Sequence, residues 1–257
     1  MAQAPTFELF TSLRYDPILA KIPANTSLGK NNTTSDSATS GGLPFYILSY
    51  HRDRILQAAE HFGWEHAASQ IKGPEGLTFL RAKLDSAVQG HESKPLRVKA
   101  LLNYNGTVRV ETSATATVAE FNLFPARLPP PKSETGSLKV SPLTGGALTL
   151  GDDDSVYGDP PTSNPWEVLI DTVRTEPSSY TSYKTTSRNM YDLARENVGI
   201  KEFTEPREVL LVSNKDGEIM EGSLTTVYFW RNGRWVTPRA QDGGQIGTTR
   251  RLALEKG

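Results

Sequence analysis

Glu221-Gly222-Ser223-Leu224-Thr225-Thr226-Val227-Tyr228-Phe229 sets one carboxylate at the end of a strand-like run, directly before a Gly-Ser turn. Upstream stands Lys184, opening the run Lys184-Thr185-Thr186-Ser187-Arg188-Asn189-Met190-Tyr191-Asp192-Leu193-Ala194-Arg195. Downstream, Gly247-Thr248-Thr249-Arg250 opens a helix-like segment over 248–256. Around these three points the pattern alternates. Strands are predicted at 166–173, 208–213, 218–220, 224–230 and 234–237, with tight turns at Asp216-Gly217 and Asn232-Gly233. A helix is predicted over 186–198, with Met190, Leu193, Ala194 and Val198 as its apolar stripe and Gly199 as its stop.

The first half reads similarly. A β-rich run covers 6–15, and Phe45-Tyr46-Ile47-Leu48-Ser49-Tyr50 is a strand or the lead-in to a helix. Helical spacing of Ile55, Ala58, Ala59 and Phe62 predicts a helix over 51–63 ending at Gly63. Leu77, Leu80, Leu84 and Val88 predict another over 75–90. Two alternating runs, 96–102 and 107–111, flank Asn103-Tyr104-Asn105-Gly106, the signal of a hairpin. Residues 22–44 are polar and read as a mobile surface loop. Residues 128–165, with Pro129-Pro130-Pro131 and Asp152-Asp153-Asp154, read as a long Pro-rich connection. The expected organisation is a small α/β domain at 1–127, a linker at 128–165 and a larger domain at 166–257. The expected class is α+β, a mixed α/β fold, since strands mix with helices and hairpins. There is no internal repeat and no Gly-x-Gly-x-x-Gly.

Composition narrows the chemistry. The 257 residues are 37% hydrophobic and 22% charged, ordinary globular usage. A net charge of −1 gives no drive toward nucleic acid or an anionic membrane. With no cysteine, disulfides and thiolate chemistry are excluded. The four histidines, His51, His61, His66 and His91, form no metal-ligand pattern, and the Asp152-Asp153-Asp154 run reads as a solvated loop, so no metal is expected. No apolar stretch is long enough to span a bilayer and no signal segment opens the chain, so a cytoplasmic protein is expected.

A lysine, a strand-end carboxylate and a Gly-Thr-Thr helix start suit one type of ligand, a phosphorylated pyridine aldehyde. An unprotonated lysine attacks the aldehyde, which requires desolvation or cationic neighbours. A carboxylate beside the pyridine nitrogen keeps the ring cationic and deepens its capacity to take up electrons. The phosphate needs amides at a helix start, hydroxyls and an arginine. Gly247 permits close backbone approach, and Thr248 and Thr249 supply hydroxyls and amides.

On these residues the chain resembles the class IV aminotransferases, fold type IV among pyridoxal-phosphate enzymes. The Glu221-Gly222 block, Trp235-Val236-Thr237-Pro238, Gly247-x-Thr249-Arg250 and the early His51-x-x-Arg54 carry the likeness. The subgroup it is most similar to is the 4-amino-4-deoxychorismate lyases, the fungal ones in particular, through Phe10-Thr11-Ser12-Leu13-Arg14-Tyr15-Asp16-Pro17 and the Lys184 and Glu221 runs. The resemblance implies pyridoxal 5'-phosphate as cofactor. Lys184 would carry it and act as the catalytic base, Arg54, Gly247, Thr248 and Thr249 would meet its phosphate, and Glu221 would meet the ring nitrogen. Thr11 and Ser12 are the candidate substrate hydroxyls. The implied reaction converts 4-amino-4-deoxychorismate to 4-aminobenzoate and pyruvate, a step toward folate, in a homodimer acting on a small molecule. The alternatives are a class IV transaminase for branched-chain, D-amino acid or amine substrates, and an inactive or binding-only member. The family usually has Asn where Thr226 stands, and its pattern continues past the last helix here, so a shortened cofactor domain lacking a sheet edge and a phosphate contact is expected. Tyr191 is read as helix packing, and Trp64, Trp166, Trp230 and Trp235 as core or interface residues.

Overall fold

The computed structural model describes residues 5–28, 42–125, 139–140, 147–148 and 166–256. The chain divides into two compact units, one formed by Met1–Phe124 with Tyr183–Ser187, the other by Pro125–Ser182 with Arg188–Gly257. The Asp152-Asp153-Asp154 run lies outside the described residues, as does most of the Pro-rich connection.

The first unit is built on an antiparallel sheet. Strand β1 (Leu9–Tyr15) leads through a short 3-10 turn to helix α1 (Pro23–Ser27), then α2 (Leu48–His61), α3 (Glu65–Ile71) and α4 (Gly73–Val88). Strands β2 (Leu96–Leu102) and β3 (Val108–Ala114) form the predicted hairpin, and α5 (Glu120–Leu123) closes the unit. The sheet order is β1-β2-β3, with Leu9 opposite Leu102 and Tyr15 opposite Leu96. Gly106 turns the hairpin at φ 79°, a conformation that a side chain would resist. One sheet face contributes Leu13, Tyr15, Val98 and Ala100 to a core with Leu48 of α2 and Leu80 and Leu84 of α4. A second core gathers Leu9, Ile55, Ala59, Ile71 and Leu102 around Trp64. Each fully buried large side chain here contributes about 1.5–3 kcal/mol.

Residues 22–44 depart from a simple polar loop. Residues 29–41 lie outside the described residues, but Pro23–Ser27 are helical and Asn25 is 1% exposed. Its amide donates to the carbonyl oxygens of Leu43 and Phe45 at 2.9 and 3.1 Å, and its Oδ1 accepts from the Ile47 amide at 2.9 Å. Ile47 has φ 37°, an unfavourable left-handed conformation for a β-branched residue, and immediately precedes α2. Asn25 therefore fastens a strained corner at the start of the helix that carries His51 and Arg54. The short helix α3 is also absent from the sequence reading, because the spacing of Ala67, Ala68 and Ile71 is too brief to register.

The second unit begins with the short pair β4 (Lys139–Val140) and β5 (Ala147–Leu148) and continues with β6 (Glu167–Ile170), α6 (Ser179–Ser182) and α7 (Asn189–Asn197). Strands β7 (Arg207–Val212), β8 (Ile219–Gly222), β9 (Phe229–Arg231) and β10 (Arg234–Val236) follow, and α8 (Thr248–Lys256) closes it. β6 pairs parallel with β7, and β7 antiparallel with β8. β9 and β10 form a hairpin whose Asn232 and Gly233 take φ 52° and 74°, as a tight Asn-Gly turn requires. Helix α7 packs on β7 through Tyr191 and Ala194 against Val209, Leu211 and Met220. Of the expected stripe, Ala194 is buried and Met190 and Val198 pack against this core, and only Leu193 departs. Leu193 is 55% exposed, while Tyr191 takes the buried position. The predicted strand over 224–230 begins only at Phe229, because residues 223–225 are drawn into a turn by the buried carboxylate of Glu208. No helix among the described residues is long and apolar enough to cross a membrane.

Candidate active site

In the first unit the run Tyr183–Ser187 lies along the edge of β1. The Phe10 amide donates to the Lys184 carbonyl at 2.9 Å, the Thr186 amide donates to the Glu8 carbonyl at 2.8 Å, and Leu9 bridges Thr185. Tyr183 stacks on His61 of α2, with ring centroids 4.4 Å apart, which anchors the run from its other side. Backbone pairing thus fixes Lys184, and its Nζ sits 5.3 Å from the centre of the Phe10 ring.

Beneath the same strand, α2 presents His51 and Arg54, both buried. Arg54 Nη2 donates to Thr11 Oγ1, and also approaches His51 Nδ1 at 3.4 Å. Thr11 Oγ1 lies 2.6 Å from His51 Nδ1. Because Arg54 only donates, the threonine hydroxyl is free to donate onward, so His51 accepts at Nδ1 and carries its proton at Nε2. Burial, then the charges of Arg54 and Lys184, hold the His51 pKa well below its ordinary value, consistent with a neutral ring. Burial pushes the Arg54 pKa down to about 10. Among the described residues no carboxylate pairs with Arg54, and its buried Nε has no hydrogen-bond partner. A buried cation with an open donor fits an anionic group such as a phosphate monoester. Thr11 is wholly buried and committed to Arg54 and His51, whereas Ser12, on the opposite sheet face, accepts from Arg97 at 3.5 Å.

In the second unit the key feature is a register irregularity. Leu211 pairs with Glu221 but Val212 pairs with Ile219, so an extra residue bulges from β8 beside Glu221. A bulge of this type re-aims the neighbouring side chain. Glu221 Oε1 lies 2.5 Å from the hydroxyl of Tyr191, which also reaches the Thr181 carbonyl at 3.2 Å. The turn that follows is held by Glu208. Its carboxylate accepts from the Ser223 amide and hydroxyl at 3.0 and 2.6 Å and from the Leu224 amide at 3.1 Å. Arg188 and Arg195 hold Ser223 through its carbonyl and hydroxyl. Gly222 is required there, since a Cβ would stand 2.5 Å from Thr225 Oγ1 and 2.9 Å from Glu208 Oε2.

A shallow cavity beside Glu221 is lined by Thr226, Val227, Thr237, Arg239 and Arg250. Buried Thr248 begins α8, and the Arg251 amide donates to the Gly247 carbonyl at 3.0 Å, so the amides of the first turn have no partner within the helix. Gly247 faces Thr226 so closely that a Cβ would stand 3.2 Å from its Oγ1.

These features are carried on a mixed α/β fold. The chain belongs to the class IV aminotransferase family, whose pattern matches residues 38–257. The fold is that of the fold type IV pyridoxal-phosphate enzymes. A 106-residue stretch is 36% identical to the aminodeoxychorismate lyase of Saccharomyces cerevisiae, covering 36% of this chain and 28% of that protein, so the match spans less than a third of the yeast enzyme. A protein of Legionella pneumophila provisionally named a 4-amino-4-deoxychorismate lyase aligns with 96% of this chain and 68% of its own, at 11% identity and a TM-score of 0.56. The branched-chain amino acid aminotransferase of Escherichia coli aligns with 99% of this chain and 67% of its own, at 10% identity and a TM-score of 0.51. Lyases and transaminases thus share this fold, and fold alone does not separate them.

Glu208 has no role in the sequence reading, and Tyr191, read as helix packing, does pack in the α7 core while its hydroxyl also meets Glu221. Glu208 had a signal, an acid beside the otherwise apolar run Val209-Leu210-Leu211-Val212. Tyr191 had none, because its hydroxyl acts on a residue of a distant strand. His51 was seen only as part of a motif, and its bond to Thr11 depends on how α2 lies under β1.

Proposed function

We propose that this protein is a pyridoxal-phosphate-dependent lyase that converts 4-amino-4-deoxychorismate to 4-aminobenzoate and pyruvate. The observation that carries the reading is the pairing of Lys184 with β1, which brings its amine against Phe10 and within electrostatic reach of His51, itself beside the buried cation Arg54, whose Nε has no hydrogen-bond partner among the described residues. Membership of the class IV family and the identity with the yeast lyase support it. When bound, the cofactor supplies an electron sink conjugated to the substrate's amine-bearing carbon.

The chain's residues supply the rest. Lys184 would hold the cofactor through Nζ and, once displaced by the substrate's amine, would as a free amine take the proton from the amine-bearing carbon and return a proton as pyruvate leaves. The family resemblance assigns the phosphate to Arg54 and to the amides and hydroxyls of Thr248 and Thr249 at the start of α8, where Gly247 leaves the backbone accessible. Glu221 would hold the ring nitrogen protonated. Thr11 would act through Arg54, and we assign the substrate hydroxyl to Ser12. Aromatisation of the product provides much of the driving force, so positioning is the main task. Following the same resemblance, we assign a homodimer.

The test is to reconstitute the protein with pyridoxal phosphate, reduce it with borohydride and map the label, then supply aminodeoxychorismate to unreduced protein. The label is expected on Lys184, with pyruvate and 4-aminobenzoate released in equal amounts. A fully loaded protein that releases neither product, or that converts its cofactor to the amine form with an amino donor, overturns the lyase assignment.

A further inference from the structure

We propose that Tyr191 is a positioning residue that keeps the Glu221 carboxylate ionised and aimed, by donating its phenolic proton to Oε1. The inference deepens the lyase reading, on which the role of Glu221 toward a ring nitrogen rests.

Tyr191 lies on α7 and is 2% exposed. Its oxygen has two acceptors within reach, the carboxylate of Glu221 at 2.5 Å and the carbonyl of Thr181 at 3.2 Å. A phenol has one proton, and the nearer, charged acceptor takes it. The Thr181 carbonyl, within α6, marks the second direction in which the hydroxyl could turn. The ring itself cannot swing. The Arg188 guanidinium stacks 4.0 Å from its centroid, and Ala194, Val209, Leu211 and Met220 enclose it. Burial and then Glu221 push the phenol pKa well above its ordinary value, so the hydroxyl remains a donor throughout the neutral range.

The consequence for Glu221 follows from the sign of the interaction. A hydrogen bond donated to a carboxylate stabilises its charged form and lowers its proton affinity. A proton shared between this carboxylate and a pyridine nitrogen then rests on the nitrogen, and the ring stays cationic. The other charged groups near Glu221 are Arg188 before α7, Arg239 and Arg250 around the cavity, and Glu208 on β7 behind the turn. Unlike these four, Tyr191 is neutral, and it donates directly to the carboxylate. Removing its hydroxyl therefore takes away one hydrogen bond and leaves the surrounding charges as they were.

The experiment compares the wild type with Tyr191→Phe and with a ring-fluorinated tyrosine at the same position, which has nearly the same shape and a more acidic hydroxyl. The Glu221 carboxyl is titrated by isotope-edited NMR in the cofactor-free protein, with Glu221→Gln to assign the signal. Tyr191→Phe is expected to raise the proton affinity of Glu221 about tenfold, the order expected for a lost hydrogen bond to a charged group. The fluorinated tyrosine is expected to lower it below wild type. Melting temperatures are recorded beside each titration. A merely packing role changes stability without producing this order of proton affinities. In protein loaded with ring-labelled pyridoxal phosphate, the nitrogen signal of Tyr191→Phe should move toward its unprotonated position, and kcat should fall with little change in KM. An unchanged Glu221 titration in both variants overturns the proposal. A protein that takes up no pyridoxal phosphate overturns the lyase reading instead, and the cofactor-free titration still decides this one.

Discussion

Replacing Arg54 with methionine tests whether a buried cation is kept for a ligand at the expense of stability. Burial moves the Arg54 pKa down from its ordinary value to about 10. At about 1.4 kcal/mol per pH unit this is a penalty of about 3 kcal/mol on the charged form in the folded state. The sign is that of a basic group whose folded pKa is depressed. Below pH ~10 the group is charged both folded and unfolded, so the full penalty applies at neutral pH, and it is relieved only as pH rises through ~10 toward the ordinary arginine value. Against it stand the bonds of Arg54 to Thr11 and His51, each contributing about 1 kcal/mol. After Arg54→Met, the Thr11 hydroxyl still donates to His51, so no new buried donor is stranded. A net gain of about 1–2 kcal/mol in the cofactor-free protein is expected. For a chain of this size that is a rise of about 2–8 °C in melting temperature.

The same substitution should abolish ligand-dependent stabilisation. Pyridoxal phosphate at a hundredfold excess over its dissociation constant stabilises a binding protein by about 2.7 kcal/mol. The wild type should gain this increment and Arg54→Met should gain little of it. Differential scanning calorimetry with and without the cofactor measures both quantities. A cofactor-free Arg54→Met that melts lower than wild type, with an undiminished increment on adding pyridoxal phosphate, would refute both the desolvation argument and the phosphate assignment.

Two further outcomes follow from packing. Gly222→Ala should destabilise by about 2–3 kcal/mol, because its Cβ would press on Thr225 Oγ1 and Glu208 Oε2 within a well-packed turn, and urea unfolding measures the loss. Trp64→Ala should cost about 3–5 kcal/mol, read by the same method, since Trp64 is 2% exposed and packs against Phe7 and Tyr104 at ring separations of 5.2 and 5.9 Å.

Local patterns in the chain were enough for much of the architecture. Both Asn-Gly turns form hairpins, since glycine accepts the left-handed backbone that such a turn requires. The spacing of Leu77, Leu80, Leu84 and Val88 is that of the buried face of α4. Trp64 lies in a core, while Trp230, read as core or interface, is 37% exposed and meets Trp235 edge-on at 5.4 Å. The family, too, was legible, because its motifs are short and contiguous. Helix α7 shows the limit. Periodicity allows more than one stripe on an amphipathic helix, and only packing on β7 selected Tyr191 over Leu193.

What the amino-acid order determined by itself was therefore the set of elements, their turns and the residue types available for chemistry. Tertiary structure decided which of those residues act on one another. The Arg54–Thr11–His51 chain exists because α2 lies beneath β1, and the Tyr191–Glu221 bond because α7 packs on a sheet whose edge bulges at Glu221. Hydrogen bonds of this kind join residues tens of positions apart and depend on ångström-scale registration, which hydrophobic periodicity does not encode.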